Sequence, residues 1–189
     1  MISFIVPTIG RASLAKTLAS IETRPGDEIL VVSDHASTTG VLLSCVDDER
    51  IRVIDCPRGN DWGHAERNVA TPMSRCPHIA HIDDDDVYAP GTRALMEDAI
   101  QRHSEQPTLF RMRYPNGLTL WWETVLRCGN IGTPMMLIPN VPEKLGQWGL
   151  WNADGKPQVG GDFAFLAGCK WRPEEFVWRP EVIALLGHN

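Results

Sequence analysis

The first half of the chain alternates two hydrophobic rhythms. Short apolar, β-rich runs occur at Ile2 to Val6, Ile29 to Val32, Ile51 to Ile54 and Ile79 to Ile82. Their length and composition predict strands buried in a sheet. Between them the spacing becomes helical. Leu14, Leu18 and Ile21 share one helix face, and Ser37 is a candidate cap for a short helix through Val46. A helix from about Gly63 stops before Pro72, and Pro90 opens another that runs to about His103. Strands joined by helices in this way predict an α/β fold with a mostly parallel sheet flanked by helices. The second half is different. Leu118 to Leu126 and Pro134 to Ile138 read as strands, and no strong helix follows until about Asp162. Six of the seven tryptophans lie from Trp121 onward, with Trp62 the exception. No repeat or low-complexity linker divides the chain, so one domain is expected over residues 1–189.

Composition narrows the class. A chain of 189 residues with 43% hydrophobic and 22% charged positions can bury a substantial core. The net charge of −6 gives no broad basic footprint for nucleic acid, although a local basic groove is compatible with it. The opening Met1-Ile2-Ser3-Phe4 carries no basic flank, and no apolar segment reaches the length of a membrane span. The five cysteines are odd in number and have neither zinc nor redox-motif spacing. Reduced thiols in a cytoplasmic protein are therefore expected, with Cys56 and Cys169 as small apolar fillers. His64 and His103 are expected on helix surfaces.

The chemistry gathers at strand ends. Asp83, Asp84, Asp85 and Asp86 form a run directly after the fourth apolar segment. Like charges repel, so such a run needs a cation or hydrogen-bond donors unless it is only a solvated turn. Alternation would point Asp83 and Asp85 one way and Asp84 and Asp86 the other. An Asp-x-Asp pair offers hard oxygen ligands for Mg²⁺ or Mn²⁺, typically shared with a phosphate. Ligands of open parallel sheets sit beyond the carboxyl ends of the strands. Pro7-Thr8, Asp34 and the acidic run all fall there.

In this order the motifs resemble the GT-A glycosyltransferases, and within them family 2. The segments that carry the likeness are Ile5-Val6-Pro7-Thr8-Ile9-Gly10-Arg11, Glu28-Ile29-Leu30-Val31-Val32-Ser33-Asp34, Gly63-His64-Ala65-Glu66-Arg67-Asn68 and His81-Ile82-Asp83-Asp84-Asp85-Asp86. Glu66 departs from the small residue usual at its position. The resemblance implies a Rossmann-like GT-A domain. Residues up to about 105 would hold the nucleotide sugar, and about 106–189 would form a compact acceptor region. It implies that Pro7, Thr8 and Arg11 border the nucleotide and that Asp34 hydrogen-bonds the base, with uridine the leading base. Arg67 would lie near the diphosphate, Asp83 and Asp84 near the nucleotide sugar, and Asp85 with Asp83 on Mn²⁺ or Mg²⁺. A late histidine, His188, is a candidate to complete the metal shell, against the plainer reading of a chain tail.

Gly160-Gly161-Asp162-Phe163 resembles the family's acidic motif, with Gly161 where a glutamate is usual. Asp162 is then the candidate base, and equally a good helix N-cap. Trp148 and Trp151, in a Gly-rich stretch, are candidates for an acceptor lid. The activity implied is transfer of a hexosyl or pentosyl group from a nucleoside diphosphate sugar to an acceptor hydroxyl, with inversion. The acceptor is open: a saccharide, a lipid carrier, a protein or a hydroxylated base in DNA. Two rivals remain. A haloacid dehalogenase-type phosphatase also places Asp-x-Asp after a strand, but after the first one. A non-catalytic sugar-nucleotide or carbohydrate-binding module would account for Gly161.

Overall fold

The computed structural model of the chain describes residues 1–34, 48–57, 61–149 and 159–187. The four expected strands form as β1 (Ile2–Thr8), β2 (Glu28–Ser33), β3 (Ile51–Asp55) and β4 (His78–His81). They pair in parallel in the order β3-β2-β1-β4. β1 and β2 are buried along their whole length, as apolar runs covered on both faces must be. β1 continues through Pro7 rather than stopping before it. Pro7 falls past the last β1–β4 pair, Ile5 with His81, so its missing N–H breaks no rung there. Helices α1 (Leu14–Ser20), α2 (His64–Ala70) and α3 (Thr92–His103) complete this half among the described residues. The helix expected from Ser37 to Val46 lies outside them.

The second half extends the same sheet. β5 (Val87–Tyr88), β6 (Thr108–Arg113), β7 (Thr119–Leu120), β8 (Met136–Pro139) and β9 (Val177–Leu185) continue the order as β4-β8-β6-β9-β5, with β7 on β6. β8 runs antiparallel to both β4 and β6 and so interrupts the parallel run at β4, while β6 and β9 pair in parallel again beyond it. One expectation is corrected here. Of the stretch 118–126 only β7 is strand, because Asn130 bonds the backbone of Trp122, Glu123 and Val125 and holds that segment as an irregular loop. β6 and β9 were not anticipated at all. Helix α4 (Gly161–Gly168) starts where expected.

Side-chain alternation along β1 sorts the core into two layers. Phe4 and Val6 pack with Ile82, Met96 and Phe110 on one face, and Ile5 packs with Leu30, Val32 and Ile79 on the other. Each such side chain contributes about 1.5–3 kcal/mol through burial. A third cluster joins Leu109, Met136, Trp148, Phe165 and Trp171 around α4, and so fixes α4 against the sheet. No described helix is long and apolar enough to cross a membrane.

Candidate functional site

The strand order reverses between β1 and β4, and a cavity of about 410 Å³ opens beyond the carboxyl ends of β1, β2 and β4. That is the ligand position of an open parallel sheet. Pro7 and Thr8 wall it from the end of β1 and Arg11 from the loop that follows, Asp34 from the end of β2, and Asp83 to Asp85 from the end of β4.

The acidic run leaves the strand as a turn, closed by the Asp86 N–H donating to the Asp83 carbonyl at 3.1 Å. The exposure still alternates as expected. Asp84 and Asp86 are buried, whereas the Asp83 and Asp85 side chains keep about a third of their surface. The buried pair is held from within. Asp84 accepts from the Thr8 hydroxyl at 2.6 Å and from Arg11 at 2.8 Å, which ties the β1 loop to the turn. Asp86 accepts from the Gly187 N–H at 3.0 Å, and burial among the other aspartates pushes its carboxyl up to about 7. Of the exposed pair, Asp85 meets Arg11 at 2.9 Å and Asp83 pairs with Arg67.

Helix α2 supplies the next wall. It is only seven residues long, and its start is secured from outside. Both Asp61 carboxylate oxygens accept helix N–H groups, from His64 and Ala65, each at 3.0 Å. Gly63 has φ +80, and a Cβ there would lie 2.9 Å from both Pro7 and Arg67, so only glycine allows α2 this close to β1. Arg67 is 1% exposed and does not line the cavity. Its guanidinium donates to the Trp62 carbonyl at 2.9 Å, pairs with Asp83 and lies 4.7 Å over the Trp148 ring. Arg67 therefore sets the position of Asp83.

One side chain on this helix and one packed against it correct the sequence reading. His64 is not a surface residue: it is buried, and burial together with Arg67 lowers its pKa and favours the neutral ring. It packs against Gly161, where an added Cβ would lie 2.2 Å from its Nε2. Trp148 is not a lid. Its ring is buried, stacked on Phe165 at 4.6 Å and edge-on to His81 at 4.8 Å. Sequence reasoning also passed over Asn68, whose amide makes two 2.9 Å bonds to the Trp148 backbone. The signal was present, since Asn68 closes the motif that contains Arg67.

Asp162 stands in the first turn of α4, after Gly160 in the left-handed region. Its carboxylate accepts from the Thr133 hydroxyl at 2.9 Å and makes no helix cap. Burial first, and then the Asp83 charge, push its pKa up, against the pull of Arg67. Pro7, Thr8, Arg11, Asp34 and Asp83 to Asp85 therefore share one cavity, while Arg67 stands behind Asp83 and Asp162 lies off the cavity lining, within reach of the Asp83 charge. His188 and Trp151 lie outside the described residues.

Asp83 and Asp85 are hard donors that suit a divalent cation with its remaining positions filled by water and phosphate. No group of three or more His, Cys, Asp or Glu converges on a metal position among the described residues, so a closed zinc-type cage does not fit.

A curled, mostly parallel sheet with this acidic edge is the fold of the GT-A glycosyltransferases. The pattern of the family described as Glycosyl transferase family 2 matches residues 3–154, and the chain belongs to that family. Among solved structures, S. aureus TarS 1-349 superposes with a TM-score of 0.71 at 16% identity, over 98% of this chain and 60% of that one. Its complex with UDP-GlcNAc gives 0.70 at 16%, over 97% and 57%. The mannosyltransferase PcManGT from Pyrobaculum calidifontis, in complex with GDP-Man and Mn²⁺, gives 0.68 at 17%, over 98% and 56%. The chain thus spans little more than half of these relatives' length. No curated protein matches it by sequence.

Proposed function

We propose that the chain transfers a hexosyl or pentosyl group from a nucleoside diphosphate sugar to an acceptor hydroxyl, with inversion at the anomeric carbon. The observation that carries this reading is a convergence at one sheet edge. A polar cavity and two carboxylates that keep about a third of their surface, braced by arginines, meet there, and Asp162 lies close enough for the Asp83 charge to raise its pKa. TarS in complex with UDP-GlcNAc and PcManGT in complex with GDP-Man and Mn²⁺ support the donor class, and the motif resemblance supports uridine as the first base to test.

In this reading Asp34 and the Pro7-Thr8 loop receive the nucleoside, and Asp83, held by Arg67, faces the ribose. Asp84 and Arg11 border the nucleotide by fixing the β1 loop on the acidic turn. Asp85 and Asp83 would hold Mn²⁺ or Mg²⁺, which when bound offsets charge on the departing diphosphate. His188 is a further candidate ligand. Asp162 takes the proton from the acceptor hydroxyl, as a carboxylate of raised pKa is the stronger base. The acceptor oxygen then bonds to the anomeric carbon from the face opposite the diphosphate, whose bond to that carbon breaks. A saccharide, a lipid carrier, a protein or a hydroxylated DNA base each offers such a hydroxyl. The test is Asp162→Asn. Turnover should fall by roughly two to four orders of magnitude while folding and donor affinity persist. Transfer within a few-fold of wild type would reduce Asp162 to a structural member of α4.

A further inference from the structure

We propose that Glu66 selects the nucleobase of the donor and that the base it selects is guanine, an inference that rests on the nucleoside diphosphate sugar reading above and departs from the uridine that the motif resemblance implies. Glu66 occupies a position where the family usually carries a small residue. It is 2% exposed yet lines the cavity, and its Oε2 has no hydrogen-bond partner among the described residues. A buried carboxyl oxygen is costly to leave unmatched unless a ligand supplies what the protein does not.

Three carboxyls, Asp34, Asp61 and Glu66, gather at this end of the cavity, and each raises the pKa of the neighbouring Cys56 thiol beyond the effect of burial. Asp61 is occupied, because both of its oxygens accept helix N–H groups. Asp34 and Glu66 are left to face the base. Burial, together with the charges of Asp61 and Asp34, pushes the Glu66 carboxyl up.

The bases answer that pair differently. Uracil presents one ring N–H between two carbonyl oxygens, so a second carboxylate beside the first meets lone pairs. Guanine presents a ring N–H and an amino group side by side, with one carbonyl next to them. Two carboxylates then find donors. If Glu66 carries a proton, its O–H serves the guanine carbonyl while Asp34 takes both N–H groups. Guanine is matched in either state and uracil in one. Adenine and cytosine offer a single amino group beside a bare ring nitrogen, which leaves one carboxylate unmatched when both are charged. The cavity rim suits a bicyclic base. Trp62, held at φ +61, and Ile9 line the cavity with more than half of their surface exposed. A purine covers more of such apolar surface than a pyrimidine.

Calorimetry with GDP, UDP, ADP and CDP in the presence of Mn²⁺ tests this on the intact chain. GDP should bind at least tenfold more tightly than UDP. Glu66→Ala should narrow that ratio to about threefold or less. Glu66→Gln keeps the shape without the charge, so it should also narrow the ratio by relieving the repulsion of uracil. Equal or tighter binding of any other nucleotide by the wild type would overturn the proposal, as would a ratio unchanged in both variants. Either result would leave the glycosyltransferase reading standing. Binding of none of the four nucleotides would overturn that reading itself.

Discussion

The two ends of the parallel sheet carry the same residue types to opposite effect. At the amino end, Asp27 accepts the N–H groups of Ile2 and Arg24, at 2.8 and 2.7 Å, and the Arg93 guanidinium at 2.7 Å. Glu28 is likewise bonded by Ser3, by the Arg75 N–H and by Arg52. Burial alone would raise both carboxyls, but these partners outweigh it and hold them below the usual range. At the carboxyl end, burial wins. Asp84, Glu66 and Asp162 are all pushed up, and Asp83 and Asp85 keep surface open to the cavity. Acids with a full set of donors hold strands together. Acids left short of donors wait for a ligand to supply the difference, and such shifts cluster at functional sites.

If that contrast is right, substitutions at the two ends should separate stability from binding. The largest expected effect is at the amino end. Asp27→Ala strands a buried Arg93 and should cost about 3–5 kcal/mol of unfolding free energy by urea titration, with the nucleotide affinity of the folded protein intact. At the carboxyl end Asp85→Asn should do the reverse. It should weaken Mn²⁺-dependent nucleotide binding by about two orders of magnitude, at or beyond the upper end of what an outer-shell change costs, and leave the melting temperature of the free protein near wild type. An equal thermal shift in chelator would break the metal assignment. Asp34→Ala should cost about 1.5–3 kcal/mol of nucleoside diphosphate affinity by calorimetry, while pyrophosphate binding holds. Unchanged nucleotide affinity would place Asp34 with the structural acids.

The smallest effect concerns pH. His78, at the start of β4, is held below its ordinary value of 6.5 by burial, against a hydrogen bond from its Nε2 to the Ser104 carbonyl at 2.9 Å. Its folded value lies under the unfolded one, so the unfolded chain binds the extra proton as pH falls. Stability is therefore intact above about pH 6.5 and declines below it, by at most about 1.4 kcal/mol per pH unit for this group. His78→Gln should remove that share of the slope in unfolding curves taken from pH 7 to pH 5.

Legibility in the sequence followed the same divide between local and distant causes. β1 to β4 were readable because strands buried on both faces are apolar over their length, whatever their neighbours do. β9 was not, since Arg179, Pro180 and Glu181 interrupt it. It survives because its register against β6 shifts between Leu109 and Arg111, at a bulge that accommodates the proline. β6 was hidden by Arg111 and Arg113, although Arg111 lies 4.3 Å over the Trp121 ring. The order of motifs located the site edge. It could not show that Arg67 is buried behind Asp83, or that Trp148 belongs to the core, because both follow from contacts across 16 to 80 positions of chain. The two departures from the family pattern, Glu66 and Gly161, were visible as letters. What they had to do with each other and with His64 was not.

That last contact couples the two positions. With the His64 imidazole 2.2 Å from where a Cβ on residue 161 would sit, the glutamate of the family motif does not fit at position 161 while the imidazole stays in place. A smaller residue at 64 makes the room. Substitutions at the two positions therefore have a preferred order. Gly161→Glu should ruin the site in this background and be tolerated after His64→Ala, an epistasis written into a single interatomic distance.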